Sequence, residues 1–231
     1  MTQTRRERLR VETTAEIKAT ALAQMVEQGA AALSLRAIAR EMGLSAPALY
    51  RYFPNRDALV TALIIDAYNS LADAMLAADQ AQGAGDYNGR FRAVASAYRE
   101  WALDHRAEYA LIYGTPIPGY VAPREETVLP AARITMIIGY ILNEAYRDGK
   151  LTIPDAYLNI SSDLQTHLDE LAAMIPEEGV LPAGVLLTIT IFSRLHGLVW
   201  GELDGHFAPN IADSGELFAV EISEICARLK L

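Results

Sequence analysis

Apolar residues recur along the chain mostly at spacings of three and four, and no stretch alternates as a half-buried strand would, so the pattern predicts an all-α protein. Ile17, Ala21, Leu22 and Met25 fall on one face of a helix predicted over residues 14–28, and Gly29 can stop it by taking left-handed backbone. Upstream, residues 1–12 (MTQTRRERLRVE) carry Arg5, Arg6, Arg8 and Arg10 without an apolar stripe, which predicts a mobile basic arm. Start and stop signals then crowd together. Ser34 can cap a short helix ending at Met42, and Gly43 supplies the positive φ of a sharp turn. Ser45 can cap a second short helix whose first turn tolerates Pro47. Pro54 disfavours helical backbone at Phe53, and Asn55 can cap a long helix over residues 56–79.

Gln80 to Gly89 (QAQGAGDYNG) reads as a flexible connection. Beyond it the periodicity predicts helices over residues 90–104, 106–113, 125–148, 163–174, 183–203 and 213–230. The loops carry Pro116, Pro118, Pro123, Pro154, Pro176, Pro182 and Pro209. Only Pro130 falls inside a helix, where it should start or bend it. The chain therefore divides into a three-helix unit over residues 1–55 and a larger helical body over residues 56–231.

Charge sharpens that division. The net charge of −9 argues against nucleic acid until it is apportioned. Residues 1–60 hold nine Lys or Arg against six Asp or Glu, a surplus of three positive charges. They leave 11 basic and 23 acidic of the chain's 20 and 29 to the body. Salt screens charge over about 8 Å, so a basic end can hold DNA while an acidic body stays clear of it. A hydrophobic content of 52% supports a substantial core without staples. The single Cys226 excludes an internal disulfide. No secretory signal is recognisable, which places the protein in the cytoplasm. The most apolar run, Val185 to Ile191, is followed by Ser193, Arg194 and His196, so no membrane span is expected.

Two short helices at a tight turn suit the major groove, since the second can lie in it while the first braces it across the backbone. Ile38, Leu44, Leu49 and Phe53 would face the first helix, with the small Ala39 where the helices cross. Ser45, Ala46, Pro47, Ala48, Tyr50, Arg51 and Tyr52 would point outward. The run IAREMGLSAPALYRYFPNRDAL, ending at Leu59, resembles the DNA-binding domain of the TetR family, with Tyr50, Tyr52, Phe53, Pro54, Asn55 and Arg56 in the aromatic, proline and basic places of that family's motif. The resemblance implies that Ser45, Ala46, Pro47 and Ala48 meet base edges or sugars, and that Tyr50, Tyr52 and Arg56 hold phosphates. Arg36 and Arg51 can reach a base or a phosphate, with Thr14 and Ser34 adding backbone contacts. Ala30 to Leu33 (AAAL) departs from the family pattern, which commonly has an aromatic residue after the glycine. Small residues at the tip leave sequence choice to methyl contacts, arginine to guanine and DNA shape.

HRAEYALIYG (from His105) and FSRLHGLVWGELDGHF (from Phe192) resemble the C-terminal domain of one TetR subfamily. That implies a ligand-responsive regulator, a repressor released by a small molecule, which binds a palindromic duplex operator as a homodimer. Its last two helices are apolar beyond what a surface helix needs, and they are the candidate dimer contact. Trp101, Tyr109, Tyr113, Met136, Tyr140, Phe192, His196 and Trp200 are candidates for an effector pocket, although for any single one of them core packing is the commoner role. His196 and His206 are ten apart, a poor spacing for zinc on a helix, and no nucleophile elbow or phosphate loop occurs. Neither a metal, a cofactor nor an enzymatic activity is expected. The rival readings are an all-helical small-molecule-binding protein or enzyme with a merely structural helix pair, and a dimeric scaffold.

Overall fold

The computed structural model describes residues 4–176, 179–208 and 210–231; Pro209 and the first three residues of the basic segment lie outside them. Ten α-helices and two short 3-10 turns account for its regular structure among those residues. The helices are α1 (Arg5–Gln28), α2 (Leu35–Glu41), α3 (Ala46–Tyr50), α4 (Arg56–Gln80), α5 (Tyr87–Asp104), α6 (Arg106–Tyr113), α7 (Arg124–Arg147), α8 (Ser162–Met174), α9 (Pro182–Leu203) and α10 (Ser214–Leu229). All but the first begin and end within a few residues of the positions the periodicity predicts.

The first helix differs. It starts at Arg5, nine residues before the expected boundary, so the segment expected to be a mobile arm is helical from Arg5 onward. Its cause is local. The Thr4 hydroxyl accepts from the Glu7 amide (3.3 Å) while the Thr4 amide donates to Glu7 Oε2 (2.8 Å), a reciprocal cap that closes the first turn.

The described chain forms two compact units. One combines residues 4–69 with residues 105–130; the other combines residues 70–104 with 131–231. In the first, the core is built from Ile17, Ala21 and Met25 of α1, Leu35, Ile38 and Ala39 of α2, and Leu49 of α3. It is completed by Phe53, by Leu59, Val60, Leu63 and Ile64 of α4, and by Ile117 from the returning segment. Gly43 sits at φ 65°, where a Cβ would be strained although nothing lies within 4 Å of it. The turn it makes lets the Leu44 amide reach the Ala39 carbonyl at 2.8 Å, ending α2.

In the second unit the buried side chains are Phe91, Val94 and Tyr98 of α5, Ile134, Ile138 and Ile141 of α7, Leu187, Ile191, Leu195 and Val199 of α9, and Ile222, Ile225 and Leu229 of α10, with Leu71 and Met75 of α4. Three arginines tie these helices. Arg90 donates to Asp79 Oδ1 and Glu144 Oε2, both at 2.7 Å. Arg99 makes a two-pronged contact with Glu202, and Arg194 pairs with Glu221 and Glu224. Pro130 lies inside α7, six residues after its start, where it deprives one turn of a backbone bond; the boundary between the two units falls immediately after it. Cys226 is buried, and burial pushes its thiol up from the ordinary range, which leaves it a protonated packing group.

Against the expectation from residues 185–191, α4, α7 and α9 are each long and apolar enough, by length and composition alone, to cross a membrane. The difference is one of length: a scattered charge interrupts a short apolar run yet lowers the mean hydropathy of a long helix only slightly. Half of the α4 window is buried within the protein, and a third of each of the other two.

Candidate nucleic-acid interface

The recognition element is set by three caps in a row. Ser34 Oγ accepts from the Ala37 amide, Ser45 Oγ from the Ala48 amide, and Asn55 Oδ1 from the Ala58 amide at 2.8 Å. With both ends of α3 defined by a cap and by the turn at Pro54, this five-residue helix is anchored through Leu49, fully buried, and Phe53 just beyond it. The rest of it is exposed or half-buried. Ser45, Pro47, Tyr50 and Arg51 are exposed, while Ala46, Ala48 and Tyr52 are half-buried. Tyr50, with 41% of its surface exposed, is a large ring that the fold leaves uncovered.

Two clefts flank this helix. Leu33, Ser34, Leu35, Arg36, Tyr50, Asn55 and Arg56 line one of about 330 Å³, so five residues singled out in the sequence (Ser34, Arg36, Tyr50, Asn55 and Arg56) converge there. Arg56 is held in place. Its Nη2 donates to the Pro118 carbonyl at 3.3 Å, and its Nε lies 3.6 Å from Asp57 Oδ1. The segment that follows α6 is therefore part of this unit, and Thr61 Oγ1 meets the Tyr120 hydroxyl there at 2.9 Å. The second cleft, of about 560 Å³, is lined by Arg5, Arg6, Leu9, Arg10, Arg51 and Tyr52. The sequence places its three N-terminal arginines on a mobile basic arm that orders on DNA, whereas here they stand on a helix. Thr4 followed at three residues by Glu7 is the signal that places them on a helix. Thr14 is in neither cleft; its hydroxyl donates back to the Arg10 carbonyl at 2.7 Å.

The eight candidate pocket residues are divided between the units. Tyr109 and Tyr113 belong to the first, where Tyr113 meets Tyr109 (ring centroids 5.1 Å apart) and Tyr68 (6.1 Å). Burial, with smaller contributions from the neighbouring phenols, pushes the Tyr113 hydroxyl far above its ordinary value, so it stays neutral. The other six belong to the second. Trp101 is buried and its indole N–H donates to Ser70 Oγ at 3.0 Å. Phe192 stacks on His196, whose Nδ1 lies 2.9 Å from the Tyr98 hydroxyl, a partner that the sequence does not announce. Met136 and Tyr140 are half-buried on α7, and the Asn143 amide nitrogen one turn further on is buried without a hydrogen-bond partner. Trp200 is 41% exposed and packs on His206, 4.7 Å between ring centroids. No group of three metal-ligating side chains occurs among the described residues.

Burial lowers the His196 imidazole from its ordinary value, so the folded protein keeps it neutral where the unfolded chain takes up a proton. Stability present above about pH 6.5, the unfolded value, is accordingly lost as pH falls toward and through the lower folded value. Denaturant titrations at about pH 7.5 and pH 5.5 should show a smaller acid loss in His196→Gln than in the unsubstituted protein. An identical loss in both would mean that His196 protonates as readily folded as unfolded.

Two family models match the chain, in separate stretches. Residues 17–63 match the family model described as bacterial regulatory proteins of the tetR family, and residues 91–225 match the Tetracyclin repressor-like C-terminal domain. The protein SCO4313, known from a crystal structure, is 38% identical, with 97% of this chain and 100% of that one superposed at a TM-score of 0.79. A protein of unknown function from Rhodococcus sp. RHA1 shares the fold at 23% identity and a TM-score of 0.72, covering 94% of this chain and 95% of its own. The HTH-type transcriptional regulator Rv1816 of Mycobacterium tuberculosis is 45% identical over 111 residues, 48% of this chain and 47% of the relative, so the match spans about half the length of that curated protein.

Proposed function

The chain belongs to the TetR family of bacterial regulatory proteins, and from that premise we propose that it is a ligand-responsive, sequence-specific DNA-binding regulator, a repressor that a small molecule releases from its operator. The observation that carries the proposal is α3. It is a five-residue helix pinned by Leu49 on one side, and on the other it presents Ser45, Pro47, Tyr50 and Arg51 to solvent between two arginine-lined clefts. Tyr50, Tyr52 and Arg56 hold phosphates, while Ser45, Ala46, Pro47 and Ala48 meet the groove. Residues 1–55, together with Arg56 at the start of α4, carry this function, and the remainder of residues 56–231 carries sensing and dimerisation, in the cytoplasm. The role is one of binding rather than catalysis.

One recognition helix contacts too few base pairs for useful specificity, so two subunits must read a palindrome together. The last two helices supply the contact. Ile189, Ser193, Gly197 and Trp200 are exposed along α9 at spacings of four, four and three, and Val220 of α10 is 60% exposed. An effector bound in the body would act by its different affinity for two body shapes. A coupling of about 1–3 kcal/mol, roughly 5- to 150-fold in operator affinity, is the expected scale.

Duplex titrations test the proposal. Affinity should fall steeply with salt, and Tyr50→Ala and Arg56→Ala should weaken binding on every sequence by about the same factor. Duplex affinity that is insensitive to both substitutions would instead favour a small-molecule-binding protein with a structural helix pair.

A further inference from the structure

We propose that the first two turns of α1 form a second DNA contact, in which Arg5, Arg6 and Arg10 join Arg51 and Tyr52 to hold phosphates of the duplex backbone beside the groove that α3 enters. This inference rests on the proposed function, but its new members, Arg5, Arg6 and Arg10, lie outside the stretch that matches the family's DNA-binding model, residues 17–63.

Continuity of one helix face is the first observation. Ile17, Ala21 and Met25 bury the core-facing stripe of α1, and stepping back along it by threes and fours leads to Arg10 and Arg6. At about 1.5 Å per residue the helix runs on for roughly 18 Å beyond Ile17, and its face changes from apolar to basic over that length. Rather than trailing into solvent, this basic face lines the cleft of about 560 Å³ whose other wall is Arg51 and Tyr52, at the end of α3.

The second observation is electrostatic. Four guanidiniums line one cleft with no carboxylate among the lining residues, and none of the four makes an ion pair with a described residue. The acid nearest in sequence, Glu7, is engaged by the Thr4 cap. Like charges gathered without a counter-charge repel one another, and an anion that enters the cleft relieves that repulsion. Guanidinium forks match phosphate oxygens two at a time, and the Tyr52 hydroxyl adds one further donor. A phosphodiester backbone running past α3 supplies phosphates in series, which suits a cleft with several cations along a helix.

The test uses the full chain and a long duplex of mixed sequence, since backbone contacts need no operator. Arg5→Ala, Arg6→Ala and Arg10→Ala are combined in one variant; all three sites are exposed and alanine favours helix, so helical content by circular dichroism should be unchanged. Arg8→Ala removes one such charge from a position on the same helix outside the cleft, and serves as the control. Every phosphate that is no longer held lowers the salt slope by about 0.9, so the triple variant should show a slope shallower by about 2 to 3 units per subunit. Between about 50 and 200 mM salt its fall in affinity should therefore be smaller than that of the unsubstituted protein by about 15- to 60-fold per subunit. Arg8→Ala should leave the slope unchanged or lower it by far less. A triple variant with the unsubstituted slope, or an Arg8→Ala whose slope changes by a third or more of the triple variant's change, overturns the inference while leaving α3 as the reading element. Failure of the unsubstituted protein to bind any duplex overturns the proposed function and this inference with it.

Discussion

Leu49→Ala is expected to cost about 2–5 kcal/mol and to abolish specific DNA binding, although the side chain faces the core. Leu49 is the only fully buried residue on a five-residue helix, and the outward side chains of α3 keep their directions only while it stays seated in the cluster formed with α1, α2 and α4. The cavity left behind cannot be filled by a helix this short without moving its reading face. Denaturant unfolding gives the stability loss, and amide exchange in residues 45–53 should rise well before the rest of the chain opens. A variant with full stability and unchanged operator affinity would show that Leu49 does not anchor the helix.

Arg90→Ala should produce the other large loss, about 3 kcal/mol, by a different route. The side chains of Arg90 and Asp79 are 11% and 14% exposed, and removing the cation leaves the Asp79 carboxylate desolvated and unpaired beside Glu144. Glu144 is 45% exposed and recovers water, which keeps the cost at the lower end of the range for broken buried pairs. The midpoint of thermal unfolding should drop by about 6–12 °C. A double substitution with Asp79→Asn should recover part of it, because the stranded charge is gone; equal losses for single and double variants would locate the cost in lost packing instead.

The helix-turn-helix was legible because its determinants are short-range. Ser34, Gly43, Ser45, Pro47 and Asn55 each act within three or four residues, and all of them occupy the cap or turn for which their chemistry suits them. The same logic, applied to Thr4 and Glu7, extends α1; four arginines without an apolar stripe draw attention to the missing core face instead of the cap. Long-range association was not legible. Nothing in Ile112, Pro118 or Tyr120 announces that residues 105–130 return to the N-terminal unit, where they meet Tyr68, Arg56 and Thr61. The aromatic residues of the body were visible as a set, yet their partners depend on which helices cross. For that reason Tyr109 and Tyr113 sit with Tyr68, Phe192 and His196 with Tyr98, and Trp200 outside with His206.

Selection of bound duplexes from a random pool, followed by footprinting of the enriched sequence, tests the central claim most directly. The expected product is an inverted repeat with two protected half-sites about one helical turn or more apart, recovered by the unsubstituted chain and lost with Tyr50→Ala and Arg56→Ala combined. A pool that shows no enrichment, or enriches equally with the doubly substituted protein, would contradict the assignment of α3 as the element that reads DNA.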